Sequence, residues 1–76
     1  MGITVLFFGM ATDLVGESTI HFPLSKEIYL EEFKTILIQN YPSLAEMHQY
    51  AIAINETYAE VDSSIKPGDT VAIIPP

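Results

Sequence analysis

The sequence predicts an α+β fold in which a mixed β-sheet packs on one main helix. Apolar patterns with the two-residue period of β-strands open and close the chain. Between them lies a stretch whose apolar residues recur with helical spacing. The chain has 76 residues, 49% of them hydrophobic, and shows neither a repeat nor a linker. This length predicts a single domain over residues 1–76.

The first two predicted elements are antiparallel strands. The run Ile3–Phe8 is rich in β-branched and aromatic residues, which favours a buried strand. After a predicted loop around Asp13, the stretch Ser18–Leu24 alternates apolar and polar residues, which predicts a second strand. Pro23 cannot donate a backbone hydrogen bond, so we expect this strand at an edge of the sheet.

The main helix is predicted from the N-cap candidate Ser25 to about Asn40. Within this stretch, Leu30, Phe33 and Leu37 recur at the spacing that places side chains on one face of a helix. These three side chains are therefore predicted to face the sheet.

Shorter elements are predicted after the main helix. Pro42 disfavours helical geometry at the preceding residue and thereby ends the helix. Ser43–Gln49 is predicted as a short second helix, and Ala51–Ile54 as a strand that turns back into a brief return strand around Tyr58.

The strongest local pattern lies near the end of the chain. In the tetrapeptide Lys66–Asp69, proline is second and glycine third, as a type II turn requires because glycine takes a positive φ at little cost. This turn leads into the last predicted strand, Thr70–Ile74, which stops before Pro75 and Pro76.

The element order predicts that the first and last strands are parallel neighbours in the centre of the sheet. Successive side chains of a strand point to opposite faces. If Val5 and Val71 face the helix, the residues next to them face away. An uncovered apolar patch on a small acidic domain indicates a partner protein. The side chains predicted on this uncovered face are Leu6, Phe8, Ala72 and Ile74.

Charge and composition exclude several classes of function. Ten acidic residues against three lysines give a net charge of −7, which disfavours nucleic acids and anionic membranes as partners. The chain has no cysteine, so it can form neither a disulfide nor a thiolate metal site. The opening apolar run lacks the preceding basic residues of a secretory signal, and we therefore expect a cytoplasmic protein.

Catalytic and metal-binding motifs are not recognised in the sequence. His21 and His48 are predicted to be ordinary surface residues. The acidic residues lack the spacing of a calcium loop, and no phosphate-binding glycine motif or nucleophile elbow occurs. We therefore assign no catalytic, cofactor-binding or metal-ligating residue, and predict no cofactor.

Four segments carry a resemblance to a known family. Val5–Gly9, Tyr41–Leu44, Ala51–Asn55 and above all Lys66–Pro76 resemble the small, sulfur-carrying subunit of molybdopterin synthase, a β-grasp protein of the ubiquitin-like superfamily. The resemblance implies a carrier whose C-terminal glycine is adenylated by an ATP-dependent activating enzyme and converted to a thiocarboxylate. It also implies docking on the large catalytic subunit, in a heterotetramer of two large and two small subunits.

The resemblance also suggests interface residues and two departures from the family. Phe8 and Ile74 match family positions at the large-subunit interface, to which we add Leu6, Ala72, Pro75 and Pro76. The family continues to a terminal Gly-Gly, whereas the sequence ends at Pro76, so we expect a natural continuation. Thr12 stands where family members often carry arginine. Two alternatives remain: a ubiquitin-like interaction module without sulfur transfer, and a sulfur carrier of the thiamine pathway.

Overall fold

A computed structural model describes residues 1–47 and 49–76 of the chain. Strands open and close the chain, and the longest helix lies in the middle. In chain order they are β1 (Gly2–Phe7), α1 (Met10–Val15), β2 (Thr19–Pro23), β3 (Ile28–Tyr29), α2 (Leu30–Asn40), a 3-10 helix (Pro42–Glu46), β4 (Ala51–Ile54), β5 (Thr57–Tyr58), β6 (Ser64–Ile65) and β7 (Thr70–Ile74).

The main sheet has five strands in the order β2-β1-β7-β4-β5. The central strands β1 and β7 run parallel, with Leu6 opposite Ala72, and the other neighbours are antiparallel. Strands β3 and β6 form a separate two-stranded ladder. The predicted mixed sheet with parallel first and last strands is therefore confirmed, and so is the edge position of β2.

The core lies between one face of this sheet and α2. Phe33 and Leu37 on α2 are fully buried, as are Val5 and Val71 in the two central strands. The ring of Phe33 meets that of Phe22 edge to face, with 5.8 Å between their centroids. The predicted alternation is confirmed, because the inward residues of β1, β2 and β7 all belong to this core.

The prediction of a loop around Asp13 is wrong, because Met10–Val15 forms the short helix α1. This helix buries Ala11, and the hydroxyl of Thr12 donates a hydrogen bond of 2.8 Å to the carbonyl oxygen of Phe7. Gly16 ends the helix in the left-handed conformation, with φ of 88°. Six residues are too few to display helical periodicity in a sequence.

The predicted helix start at Ser25 is also wrong, because α2 begins at Leu30. Strand β3 precedes it directly, where Ile28 pairs with Ile65 of β6. The first N–H of α2 donates to the carbonyl oxygen of Ser63 rather than to a capping side chain. Tertiary pairing of the entering segment therefore overrides the local capping pattern.

The second helix predicted at Ser43–Gln49 is a 3-10 helix over Pro42–Glu46. Proline at its first position suits a helix start because its missing N–H would have no partner there. The prediction for His48 lies outside the described residues. His21 is exposed on β2, as predicted.

Both predicted turns are present, and a side-chain network joins them. Gly68 has φ of 95°, and the N–H of Asp69 donates to the carbonyl oxygen of Lys66 at 3.0 Å, as in a type II turn. Asn55 and Glu56 form the two-residue β4–β5 turn with positive φ values of 50° and 71°. The turn before β7 therefore has the backbone conformation that its sequence favours, and so does Asn55 at the first position of the β4–β5 turn.

Asn55 connects these two turns, and its replacement by alanine is expected to destabilise the fold. Its Nδ2 donates to Oδ1 of Asp69 at 2.9 Å, and its Oδ1 accepts from the N–H of Thr70 at 2.9 Å. Alanine also tolerates a positive φ less well than asparagine. We expect Asn55→Ala to lower the free energy of unfolding by about 1–2 kcal/mol.

Urea denaturation of Asn55→Ala and of a control variant measures this loss of unfolding free energy. Asn40→Ala is the matched control, because Asn40 makes one exposed hydrogen bond to the carbonyl oxygen of Ile36. This control is expected to lose about 0.5 kcal/mol or less. Equal losses in the two variants would show that the Asn55 network contributes nothing beyond an ordinary surface hydrogen bond.

Candidate partner-binding face

The face of the sheet turned away from α2 carries a continuous row of side chains. Leu6 on β1 lies opposite Ala72 on β7, which lies opposite Ala53 on β4, which in turn lies opposite Tyr58 on β5. Directly opposite residues on one face have their Cβ atoms about 5 Å apart. Four adjacent strands therefore build one surface, with two small residues in the middle and larger residues on either side.

This arrangement leaves a depression of about 290 Å³ on the open face. Ala72 and Ala53 contribute only methyl groups, whereas Leu6, Ile74 and Phe8 contribute long apolar side chains. We call this surface the open-face depression. The residues that line it are Leu6, Phe8, Ala53, Glu56, Tyr58, Thr70, Ala72 and Ile74.

Two of the lining side chains are aromatic and strongly exposed. Phe8 exposes 47% of its surface and Tyr58 exposes 69%. Phe8 follows the end of β1, where its N–H donates to the carbonyl oxygen of Ile73 at 3.2 Å. Aromatic residues that are held in place and exposed are enriched among the anchors of protein–protein interfaces. The depression is therefore suited to contact with a protein.

The structure brings together four of the six predicted interface residues in the depression: Leu6, Phe8, Ala72 and Ile74. Pro75 and Pro76 lie outside its lining. Pro75 lies against the corner between β1 and α1, since a Cβ atom added to Gly9 would be 3.4 Å from its Cγ. Pro76 is exposed.

Sequence reasoning missed Ala53 and Tyr58 in this face. Alternation along β4 was available as a signal, because buried Ile52 implies that Ala53 points the other way. The pairing of Ala53 with Tyr58 depends on the register of the hairpin that joins β4 to β5. That register follows from the two-residue turn at Asn55 and Glu56.

The lining of this face is mainly apolar. Its polar groups are the Glu56 carboxylate and the hydroxyls of Thr70 and Tyr58, next to mainly apolar side chains. Within residues 1–47 and 49–76, no three His, Asp or Glu side chains are grouped as metal ligands. The arrangement can accept a protruding apolar side chain, with a hydrogen-bonding or cationic group beside it.

Thr12, the second departure from the family pattern, uses its side chain within the fold. It is half-buried in α1, and its hydroxyl donates to the Phe7 carbonyl oxygen at the end of β1. This hydrogen bond fastens α1 to the strand that carries Leu6. Thr12 therefore stabilises the corner next to the face.

No helix in the described part of the chain is both long and apolar enough to cross a membrane.

Comparison with known proteins identifies a matching family model and relatives that share one name. The family model described as "ThiS family" matches residues 5–76. A curated protein of Caenorhabditis elegans, named molybdopterin synthase sulfur carrier subunit, is 36% identical over 87 aligned positions, covering 100% of this chain and 94% of the relative.

Solved structures share the fold. A putative molybdopterin converting factor, subunit 1, from Pyrococcus furiosus aligns with a TM-score of 0.87 at 20% identity, covering 100% of this chain and 98% of that one. A complex of subunits 1 and 2 of the molybdopterin-converting factor from Helicobacter pylori includes a chain that aligns with a TM-score of 0.71 at 27% identity. That match covers 100% of this chain and 95% of the other.

Proposed function

The chain belongs to the ThiS family, and from that premise we propose that it is the sulfur-carrier subunit of a molybdopterin synthase. The observation that carries the proposal is the open-face depression. It is a mainly apolar surface to which β7 contributes, and β7 is the strand that leads to Pro75 and Pro76. The C. elegans relative has the same role by name, and the H. pylori chain is part of a complex of two subunits. We propose that residues 1–76 act as one domain in the cytoplasm.

Strand β7 takes part in both tasks of the proposed carrier, which are binding the large subunit and presenting the C-terminal end. It contributes Ala72 and Ile74 to the depression and continues directly into Pro75 and Pro76. A partner that covers the depression is therefore placed next to the point where the chain leaves the sheet. The two prolines fix the backbone angle φ and so limit the directions that the chain can take at this point.

The proposed chemistry takes place at the terminal carboxyl group of the natural chain. An ATP-dependent activating enzyme adenylates this carboxylate and releases pyrophosphate. Sulfide then displaces AMP, so that a carbon–sulfur bond replaces the carbon–oxygen bond to AMP and a thiocarboxylate remains. In this proposal the partners supply the catalysis, while the chain binds the large subunit and presents the sulfur atom.

The negative charge of the chain fits partners with basic surfaces. The net charge is −7, and Glu56 is in the lining of the depression. Complementary charge accelerates the encounter of two proteins and is screened by salt. Docking on the large subunit, in the proposed assembly of two large and two small subunits, should therefore slow as the salt concentration rises.

Intact-mass measurement of the protein expressed from its natural gene tests the proposal. The protein is incubated with ATP, the activating enzyme and sulfide, and its C-terminal fragments are sequenced by mass spectrometry. We expect the mass increase that replacement of one oxygen by sulfur gives, localised to a terminal glycine. A matched sample without ATP should keep the carboxylate.

Titration with candidate partners separates the proposal from its alternatives. We expect the large subunit of molybdopterin synthase to bind, and thiazole synthase to leave the protein unbound. Binding of the large subunit without any ATP-dependent thiocarboxylate would indicate an interaction module. Binding of thiazole synthase alone would indicate a carrier of the thiamine pathway. Either result would overturn the proposed function.

A further inference from the structure

A second groove lies around the β5 edge of the sheet. It has a volume of about 290 Å³ and lies between the N-terminal half of α2, strand β4 and the segment that follows β5. Val61 is part of this groove and exposes 80% of its surface, more than any other large hydrophobic side chain of the described residues except Met1. We call this surface the β5-edge groove.

The β5-edge groove and the open-face depression share one side chain at the edge of the sheet. Tyr58 contributes to the lining of both. Its ring is 69% exposed on a strand of only two residues, with no further strand beyond it in the described sheet. A protein that covers the depression and contacts Tyr58 therefore already touches one side chain of the groove.

The charges of the groove indicate what its occupant must carry. Lys34 Nζ lies 3.8 Å from Glu31 Oε1 and 5.8 Å from the centroid of the Tyr50 ring. The ammonium group of Lys34 therefore already pairs with a carboxylate and an aromatic ring. In the described part of the chain, Glu60 lines the groove with no cation within ion-pair distance. A basic side chain beside an apolar one would meet Glu60 and Val61 together.

The segment that carries these two residues is held in place. The N–H of Glu60 donates to Oγ of Ser63 at 2.8 Å, and the N–H of Ser63 donates back to the Glu60 carbonyl oxygen at 3.0 Å. Burial, and then the Glu31 carboxylate, raise the pKa of Tyr50, so its hydroxyl stays protonated at neutral pH. The groove therefore offers an exposed carboxylate on a restrained backbone, together with a protonated phenol.

We propose that the large subunit, once docked on the open-face depression, extends past Tyr58 and inserts a basic side chain and a neighbouring apolar side chain into the β5-edge groove. This inference rests on the proposed function and specifies a second contact of the same partner. A second copy of the chain fits poorly, because each copy has a net charge of −7 and would bring carboxylates against carboxylates.

A pair of charge reversals tests the groove contact by titration against the purified large subunit. Glu60→Lys places a cation in the groove, whereas Asp62→Lys makes the same change of net charge two residues away, at an exposed position outside the groove. Both substitutions should change the long-range electrostatic attraction between the two proteins by the same amount, because they change the net charge equally. We expect Glu60→Lys to weaken binding about tenfold, mainly through faster dissociation, and Asp62→Lys to change it less than threefold.

The remaining variants distinguish the possible failures. Val61→Asp removes the apolar half of the contact and should also weaken binding about tenfold. Equal effects of Glu60→Lys and Asp62→Lys, or unchanged binding by Val61→Asp, would overturn the groove contact. Ile74→Asp, measured in the same titration, reports on the depression itself. Loss of binding by Ile74→Asp with unchanged binding by Glu60→Lys would leave the docking face intact and disprove the groove contact alone.

Discussion

Replacing Ile74 by aspartate is expected to weaken binding of the large subunit by about 2 kcal/mol or more, while the protein keeps its fold. Ile74 is half-buried on β7 and lines the open-face depression. A carboxylate at this position would lose its hydration when the partner covers the face, and it would have no cationic neighbour in the lining. The side chain points away from the core, so folding does not require its burial.

Isothermal titration calorimetry with the purified large subunit measures this loss. Phe8→Asp is expected to behave alike, since Phe8 lines the same depression. His21→Asp provides the control, because His21 is exposed on the same sheet at the edge strand β2 and does not line the depression. Unchanged affinity in both Ile74→Asp and Phe8→Asp would remove the depression from the docking interface.

The sheet was predictable because its pattern is repeated over several strands. In β1 and β7, every second residue is apolar and buried, and the turn with proline and glycine fixes the start of β7. The short elements were not predictable in this way. Strands β3 and β6 have two residues each, too few to display a period. They form because Ile28 and Ile65 pair across 37 residues of chain, a contact that no local pattern encodes.

The candidate site, like the fold, has a part that the sequence predicts and a part that it does not. Leu6, Ala72 and Ile74 follow from alternation once β1 and β7 are paired in parallel. Tyr58 joins them only through the register of the β4–β5 hairpin, where Glu56 adopts a positive φ that its side chain does not favour. The groove beyond Tyr58 combines residues from α2, β4 and the following segment, so it exists only in the folded chain.

The core offers the prediction with the largest effect on stability. Phe33 is the largest fully buried side chain of the described residues, and its ring contacts that of Phe22 edge to face. Its removal would leave a cavity between α2 and the sheet, because both are held by other contacts and cannot collapse fully. We therefore expect Phe33→Ala to lower the free energy of unfolding by about 3–5 kcal/mol.

At roughly 0.05–0.15 kcal/mol per residue, a domain of 76 residues has a total stability of about 4–11 kcal/mol, so Phe33→Ala removes a large part of it. Phe33→Leu keeps part of the volume and should lose about 1–2 kcal/mol, which keeps the transition measurable by urea denaturation. Ile38→Ala is the matched control on the same helix, because Ile38 is only half-buried. Its loss should be smaller than that of Phe33→Ala, because less apolar surface is removed from the core. If Ile38→Ala were as destabilising as Phe33→Ala, the packing of α2 on the sheet would differ from the one described, since the helix would then bury a different face.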